Sequence, residues 1–165
     1  MRAVLQRVSR AQVSVAGNVV GAIQSGYLAL IGIERGDGAA DVAYLARKIA
    51  GLRLFSDAEG KMNRPLSPAS DAVLAISQFT LMGDTRRGMR PSFDTAAPPA
   101  QAKPLFEAVV EALRREGLHV ETGIFQADMR VESMNEGPVT VLLESRMAPH
   151  RTVAEMPQRV PAKSL

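Results

Sequence analysis

The fold is decided by Ala72-Val73-Leu74-Ala75-Ile76-Ser77-Gln78-Phe79-Thr80-Leu81, in which an apolar run ends at a hydroxyl and a carboxamide. Five apolar residues in succession, bounded by polar ones, predict a buried strand over residues 72–76. An ordinary core strand would not place Ser77, Gln78 and Thr80 beside such a run, because buried polar groups need hydrogen-bond partners. The end of this strand is therefore a candidate functional segment.

A second stretch, Asn135-Glu136-Gly137-Pro138-Val139-Thr140, joins a turn to a strand. Val139, Val141 and Leu143 alternate with other residues, which is the spacing of a strand with one buried face. Gly137-Pro138 stands at the entrance of this strand and is typical of a turn. Because an X-Pro bond is cis in only about 5–6% of cases, the pattern alone favours the trans isomer.

Strand and helix patterns alternate through the rest of the chain. Residues 13–20 predict a hairpin, and residues 27–33 form a nearly continuous apolar run that is typical of a strand covered on both faces. Apolar residues at helical spacing predict one helix over residues 42–52 and another over residues 105–113, with Gly117 closing the second. Several strands interrupted by two helices predict an α+β domain with a mostly antiparallel, barrel-like β-sheet.

The composition is that of a globular protein. The 165 residues suit one domain, and 46% hydrophobic and 22% charged residues are ordinary proportions for it. No apolar run approaches the roughly 18 residues of a membrane span, so we expect no membrane association. The chain has no cysteine, hence no disulfides and no thiolate metal ligands, which is compatible with the cytoplasmic location that we expect.

The net charge of +3 belongs to residues 146–165, a C-terminal extension. The extension has four basic residues against one acidic residue, whereas residues 1–145 contain sixteen of each. Summed charge therefore gives the main domain no general attraction for RNA, and any affinity has to come from local patches. We expect a functional domain over residues 1–145, followed by a basic extension that its prolines and polar residues make mobile.

The common catalytic and cofactor signatures are missing. The two histidines, His119 and His150, lie in different sequence contexts, which disfavours a Ser-His-Asp triad or a histidine metal site. Gly32, Gly36 and Gly38 lack the spacing of a dinucleotide-binding loop and fit a glycine-rich turn. We therefore expect neither a metal nor an organic cofactor.

Six short segments, in their order along the chain, resemble the D-aminoacyl-tRNA deacylases, editing enzymes that hydrolyse mischarged D-aminoacyl-tRNA. The resemblance runs from Met1 to about Ser145 and implies the fold of that family in a hydrolase without a cofactor. The implied function is release of the D-amino acid, and of glycine mischarged on tRNA(Ala), which is proofreading in translation. The segments are residues 6–8, 55–63, 77–81, 87–93, 123–129 and 135–140.

The resemblance implies a catalytic centre at Ser77, Gln78, Phe79 and Thr80. A threonine hydroxyl is a weak nucleophile unless a base takes its proton, and no histidine or lysine is near Thr80 in sequence. A β-branched residue packed in a sheet is the alternative interpretation of this position. An aminoacyl ester is already activated and has a neighbouring ribose 2′-hydroxyl, so main-chain groups that stabilise the oxyanion could supply much of the catalysis. In that hypothesis Gln78 and Thr80 are positioning residues.

Selection between D and L substrates falls to Gly137 and Pro138. In the resembled family this peptide is cis, and its carbonyl oxygens enter the active site of the partner subunit. Rigid oxygens placed where an L side chain would project exclude that side chain, whereas a D side chain points elsewhere. We therefore expect a homodimer in which Gly137 and Pro138 of one chain complete the pocket of the other. Glycine has no side chain to exclude, so glycyl-tRNA should also be a substrate.

Three further residues receive a substrate-binding role from the resemblance. Phe125 and Met129 line the pocket for the terminal adenosine, where an aromatic or thioether group suits a base. A place in the hydrophobic core is the plainer alternative for both. Arg7 either supports the pocket from behind or is a surface arginine on an edge strand.

Arginines cluster at Arg86, Arg87 and Arg90, beside Gly88 and Pro91 in a predicted loop. By the resemblance they are candidates for binding phosphates near the acceptor end of tRNA. A solvated basic turn is the alternative.

Two other classes of function stay open at this point. One is a module that binds a tRNA end or a nucleotide without catalysis, which the intact segments 77–81 and 137–140 disfavour. The other is an esterase for small acyl esters with Thr80 as nucleophile. That esterase predicts a trapped acyl-enzyme and near-total loss of activity in Thr80→Ala.

Overall fold

Eight strands and two helices make up residues 1–146, the part of the chain that this computed structural model describes. The predicted extension lies outside the described residues, apart from Arg146. A 3₁₀ turn, Phe79–Met82, follows the sixth strand. In chain order the elements are β1 (Arg2–Val15), β2 (Asn18–Ile23), β3 (Gly26–Gly32), α1 (Ala39–Gly51), β4 (Phe55–Ser56), β5 (Met62–Arg64), β6 (Ala72–Ser77), α2 (Pro99–Arg115), β7 (His119–Thr122) and β8 (Arg130–Glu144).

Six of these strands form one mixed sheet. The strand order is β2-β1-β3-β6-β7. β8 lies off this path and also pairs with β1, while β4 and β5 form a separate hairpin. β1 is antiparallel to β2, β3 and β8, whereas β3, β6 and β7 are parallel to one another. Both parallel connections contain a helix, as a crossover between parallel strands requires. The predicted α+β class with a mostly antiparallel, barrel-like sheet is confirmed.

The continuous apolar run of β6 has two covered faces. Val73 and Ala75 belong to the larger hydrophobic core, which lies between the sheet and the helices. Leu74 and Ile76 point the other way and pack with residues of β1 and β3 in a second, smaller core. Because successive side chains alternate between faces, burial on both sides requires apolar residues throughout.

The two helices pack against the sheet through the apolar stripes that their spacing predicts. α1 lies close to its predicted range, whereas α2 begins at Pro99, six residues earlier than predicted. The first turn of α2 is polar and alanine-rich, so periodicity gives no sign of it, although proline at the first position suits a helix start. Gly117, with φ +83°, ends α2 as predicted. The buried residues are Val42, Leu45, Ala46 and Ile49 in α1 and Phe106, Val109, Val110 and Leu113 in α2.

β8 is one long strand that runs through Gly137-Pro138, where the sequence predicts a turn at the entrance of a strand. It pairs with β1 along nearly its whole length, with Gln6 opposite Thr140 and Val8 opposite Asn135. Residues 136–139 therefore stand opposite the single residue Arg7, and we call these four residues the β8 bulge. The Gly137-Pro138 peptide in the bulge is cis, the isomer that the resemblance implied and the turn pattern did not favour.

Candidate active site

Residues 77–80 lie at the carboxyl end of β6, where they are held against β3. The main-chain N–H of Gln78 donates to the carbonyl oxygen of Ile31 at 2.7 Å, and the N–H of Leu81 donates to that of Gln78 at 3.3 Å. Gly32 permits this close approach, because a Cβ there would lie 2.9 Å from the Gln78 oxygen and 3.0 Å from the Leu81 Cβ. The position of the turn is thus set by the end of β3.

A cavity of about 600 Å³ opens beside this turn. It brings together five residues that the sequence analysis assigned to the site: Ser77, Gln78, Phe79, Phe125 and Met129. Every residue that lines it is apolar or carries an uncharged polar group. A cavity of this size and character suits a small organic group with few polar atoms.

Two main-chain N–H groups at the start of this turn are available to a ligand, one on Phe79, which lines the cavity, and one on its neighbour Thr80. The 3₁₀ turn begins at Phe79, so the N–H groups of Phe79 and Thr80 precede its internal hydrogen bonds. Neither N–H group donates a hydrogen bond within residues 1–146. Paired donors of this kind can stabilise a carbonyl oxygen that gains negative charge.

Thr80 itself does not line the cavity. Its hydroxyl accepts a hydrogen bond from the Gln78 side-chain amide, with 2.5 Å between Nε2 and Oγ1. The hydrogen bonds of the described residues include no carboxylate, imidazole or amine partner for this hydroxyl. The geometry therefore gives Thr80 a fixed orientation and supplies no base that would activate it.

The β8 bulge lies against Arg7. The Arg7 Nε donates to the Glu136 carbonyl oxygen at 3.2 Å, and Nη1 donates to that of Leu54 at 2.5 Å. Gly137 has φ +120°, and a Cβ on it would lie 2.9 Å from the Arg7 Nη2. Arg7, Gly137 and Pro138 do not line the cavity of their own chain. Within one chain, the predicted site residues thus fall into two separate groups. One lies at the cavity, and the other, Arg7, Gly137 and Pro138, lies at the β8 bulge.

Arg7 rests on a segment that the core fixes. The hydroxyl of Tyr27 donates to the Leu52 carbonyl oxygen at 3.1 Å, two residues before the Leu54 oxygen that Arg7 contacts. Burial raises the pKa of Tyr27 to about 12, so the phenol remains a neutral donor at physiological pH. Its ring also stacks on Phe55, with 5.3 Å between ring centroids. The Arg7 guanidinium is therefore bound to a segment whose position the core sets.

Side chains that received no role from the sequence close the base of the bulge. The Asn135 Oδ1 accepts from the Val139 N–H at 3.0 Å, and Asn135 Nδ2 and Gln6 Nε2 donate to the Thr140 hydroxyl at 3.2 and 3.4 Å. An asparagine two residues before Gly-Pro is a signal for such a contact, since asparagine often bonds nearby main-chain groups in turns. Phe93, which packs edge-on against Phe79 at 5.2 Å, was also missed and had no signal beyond its matched segment.

The three loop arginines differ in their surroundings. Arg86 donates to both carboxylate oxygens of Asp84, at 2.9 and 2.6 Å. These hydrogen bonds lower the pKa of Asp84 to about 2, so the pair is charged at neutral pH. Arg87 and Arg90 are exposed, and neither forms an ion pair within the described part of the chain. An incoming anion would therefore meet Arg87 and Arg90 more readily than Arg86.

Two further properties of residues 1–146 concern metal binding and membrane spans. No group of three or more His, Cys, Asp or Glu side chains is arranged there to hold a metal ion. Neither of the helices has the length and apolar character needed to cross a membrane.

A nearly closed mixed sheet carrying two helices is the architecture of the D-aminoacyl-tRNA deacylase class. A solved structure described as a probable eukaryotic D-amino acid tRNA deacylase matches this fold with a TM-score of 0.72, covering 86% of this chain and 97% of that one at 17% identity. A solved structure of a c-Myc DNA unwinding element binding protein matches with a TM-score of 0.84 and 37% identity, covering 89% of this chain and 100% of that one.

The chain belongs to the D-Tyr-tRNA(Tyr) deacylase family, whose sequence model matches residues 4–144. A D-aminoacyl-tRNA deacylase from Symbiobacterium thermophilum is 61% identical over 145 residues, which cover 88% of this chain and 96% of the relative. The family resemblance inferred from six short segments is thereby confirmed.

Proposed function

We propose that this protein hydrolyses the ester bond of D-aminoacyl-tRNA and releases a free D-amino acid and tRNA. As a member of the deacylase family it is a hydrolase. The observation that carries the proposal is the available N–H group of Phe79, which lines an uncharged cavity, together with that of its neighbour Thr80. Such donors suit the carbonyl oxygen of an ester, and such a cavity suits an amino-acid side chain or a base.

The reaction adds water to the ester carbonyl and breaks the bond to the ribose oxygen, which leaves with a proton. Negative charge builds up on the carbonyl oxygen in the transition state, where the N–H groups of Phe79 and Thr80 stabilise it. One donor of this kind contributes about 100- to 1,000-fold in rate in other hydrolases. The ribose 2′-hydroxyl lies next to the reacting carbonyl and provides a polar partner for the water. Gln78 and Thr80 hold the turn and the substrate in position.

The terminal adenosine occupies the part of the cavity lined by Phe125 and Met129 in this proposal. The Phe125 ring lies 6.5 Å from the ring of Phe106, so the core supports it from behind. A half-buried aromatic ring and a thioether offer a surface on which a base can stack. The proposed site does not recognise the amino-acid side chain specifically, which allows it to accept many D-amino acids.

A second copy of the chain completes the site. Gly137 and Pro138 do not line the cavity of their own chain, yet the bulge that carries them is exposed at the edge of the sheet. β8 pairs only with β1 within residues 1–146, and Leu142 on it is 75% exposed. Long apolar edge strands are normally covered. A homodimer covers this edge and brings the bulge of one chain to the cavity of the other.

Selectivity in this arrangement comes from exclusion. The carbonyl oxygens of Gly137 and Pro138 occupy the space into which an L side chain would project. A D side chain points away from them, and the hydrogen atom of glycine does not reach them. Glycine mischarged on tRNA(Ala) is therefore a second substrate.

Release of amino acid from matched D-tyrosyl-, L-tyrosyl- and glycyl-tRNA tests the proposal. We expect hydrolysis of the D and glycyl esters, with the L ester at least about 100-fold slower, which corresponds to about 3 kcal/mol of exclusion. Equal rates for D and L would leave an esterase without a chiral pocket. No hydrolysis by the folded protein would favour a binding module instead. Sedimentation gives the oligomeric state, and a monomer that discriminates D from L would contradict the shared site.

The acceptor end of tRNA also needs phosphate contacts, for which Arg87 and Arg90 are better placed than Arg86. We expect Arg87→Gln and Arg90→Gln each to lower the slope of log affinity against log salt concentration by about 0.7–0.9. Arg86→Gln is the matched control, because Arg86 is already paired with Asp84, and its slope should equal that of the unmodified protein. Anisotropy titrations with labelled tRNA at several salt concentrations give these slopes. Equal slopes for all three variants would remove the loop from the tRNA contact surface.

A further inference from the structure

We infer that Asn135 is a positioning residue that sets the selectivity for D substrates. The inference rests on the proposed function, because it concerns how Gly137 and Pro138 are held. Asn135 is half-buried at the point where β8 enters the bulge, and its main chain is in register with Val8 of β1. Its side chain reaches across the bulge to the point where the strand resumes.

The bulge removes main-chain groups from the ladder between β1 and β8. With residues 136–139 opposite one residue of β1, their N–H groups cannot all find partners on that strand. The Asn135 Oδ1 supplies an acceptor for one of them, the N–H of Val139, at 3.0 Å. This side chain thus takes the place of a missing strand partner.

The same side chain fixes the far end of the bulge. The Asn135 Nδ2 donates to the Thr140 hydroxyl at 3.2 Å, and that hydroxyl also accepts from Gln6 Nε2 at 3.4 Å. Gln6 is the register partner of Thr140, so these two hydrogen bonds connect the exit of the bulge to its entrance and to β1. The two strand ends that flank the bulge are held together by one asparagine.

Gly137 and Pro138 depend on these contacts for their direction. Neither residue has a side chain that could form a hydrogen bond of its own. On one side the Arg7 guanidinium holds the Glu136 carbonyl oxygen, and on the other Asn135 holds the Val139 N–H. Two carbonyl oxygens that lie between two fixed points keep a fixed direction, which exclusion of an L side chain requires.

Asn135→Ala should therefore weaken selectivity more than activity. We expect the ratio of D-tyrosyl- to L-tyrosyl-tRNA hydrolysis to fall about tenfold, the order expected for losing a net hydrogen bond and leaving an N–H unpaired. The rate with the D ester should change by less than about threefold, since the N–H groups of Phe79 and Thr80 are not touched. Single-turnover rates with both esters give the ratio. Both esters have the same tRNA, so a change in tRNA affinity cancels.

Two variants and a control separate positioning from a general loss of structure. Asn135→Asp keeps an oxygen acceptor for the Val139 N–H and should restore most of the selectivity. Thr140→Val keeps the shape of the side chain but removes the hydroxyl, and should lower the ratio in the same direction by a smaller factor. Asn63→Ala is the matched control, because Asn63 also accepts a hydrogen bond, from Arg53 at 3.2 Å, in the exposed β4–β5 hairpin. Its ratio should equal that of the unmodified protein.

Unchanged ratios in Asn135→Ala and Thr140→Val, with hydrolysis of the D ester intact, would overturn the inference and leave the proposed function standing. Loss of selectivity in Asn135→Asp equal to that in Asn135→Ala would also overturn it, because the acceptor would then not matter. If Asn135→Ala does not fold, the comparison of Asn135→Asp with Thr140→Val decides. Failure of the unmodified protein to hydrolyse the D ester would count against the proposed function itself.

Discussion

Replacing Gly137 by alanine is expected to lower the preference for D-tyrosyl- over L-tyrosyl-tRNA about 100-fold, the loss that a misplacement of about 1 Å can cause. The residue has φ +120°, a conformation that L side chains rarely adopt. A Cβ would also lie 2.8 Å from the Val139 Cγ2 and 2.9 Å from the Arg7 Nη2. Either the guanidinium or the bulge has to move, and the carbonyl oxygens that exclude an L side chain move with it. Hydrolysis rates for the two esters give the ratio.

Gly17→Ala is the control for this variant. Gly17 has φ +84° in the β1–β2 turn, and a Cβ there would meet nothing within 4 Å. It therefore has a comparable main-chain penalty, about 1–3 kcal/mol, without the clash. We expect its D-to-L ratio to be unchanged even if its melting temperature falls. A ratio in Gly137→Ala that matches the Gly17→Ala value would show that the clash with Arg7 is irrelevant to selectivity.

Gly32→Ala should reduce hydrolysis of all substrates about 100-fold, since it displaces the 3₁₀ turn that carries the proposed N–H donors. The new Cβ would meet the Met82 Cε at 2.8 Å, the Gln78 carbonyl oxygen at 2.9 Å and the Leu81 Cβ at 3.0 Å. A methionine tip can rotate, whereas a main-chain oxygen can move only with the segment that carries it. The donors on Phe79 and Thr80 then leave their places beside the cavity. Overpacking of this kind also costs about 1–3 kcal/mol in the free energy of unfolding.

Gly51→Ala is the control for Gly32→Ala. Gly51 is exposed at the end of α1, has an ordinary φ, and a Cβ on it would meet nothing within 4 Å. We expect neither its activity nor its stability to decrease, because alanine suits a helix better than glycine does. Full activity in Gly32→Ala would mean that the turn tolerates displacement, and the proposed role of its main-chain donors would then be wrong.

Mixing the two variant chains tests whether the site is shared between subunits. Gly137→Ala chains have an intact cavity, and Gly32→Ala chains have an intact bulge. With random assortment into dimers, about half of the intact cavities receive an intact bulge, so hydrolysis of the L ester per Gly137→Ala chain should fall to about half. If each cavity used the bulge of its own chain, mixing would leave that rate unchanged.

The end of β6, where the proposed catalytic residues lie, could be predicted from the sequence, because β6 is apolar on both faces and its end is marked by polar residues. The parallel pairing of β3 with β6 could not, since an apolar strand looks the same in either direction and the crossover through α1 decides. Gly137-Pro138 is a turn signal, so the sequence does not indicate that β8 runs through it. β8 continues as one strand because it lies at an edge of the sheet, where a bulge with proline is tolerated.

The two groups of site residues also differ in how visible they are in the sequence. Ser77 and Gln78 are next to each other along the chain, and the hydroxyl and amide that end a strand can be recognised locally. The contact of Arg7 with the Leu54 carbonyl oxygen joins residues far apart in sequence, and it depends on how α1 returns to the sheet. That Gly137 and Pro138 lie outside the cavity of their own chain agrees with what the resemblance implied, and residue patterns alone give no sign of it.

The β8 bulge has an evolutionary consequence. β8 pairs with β1 on both sides of it, at Thr140 opposite Gln6 and at Asn135 opposite Val8, and residues 136–139 have no register partner on β1. Residues 136–138 are exposed and lie outside the hydrophobic core, whereas Val139 packs against it. In the proposed site, the residues that reject an L side chain are thus distinct from those that form the hydrophobic core. Natural selection can therefore act on the exposed part of the bulge, residues 136–138, without altering the hydrophobic core.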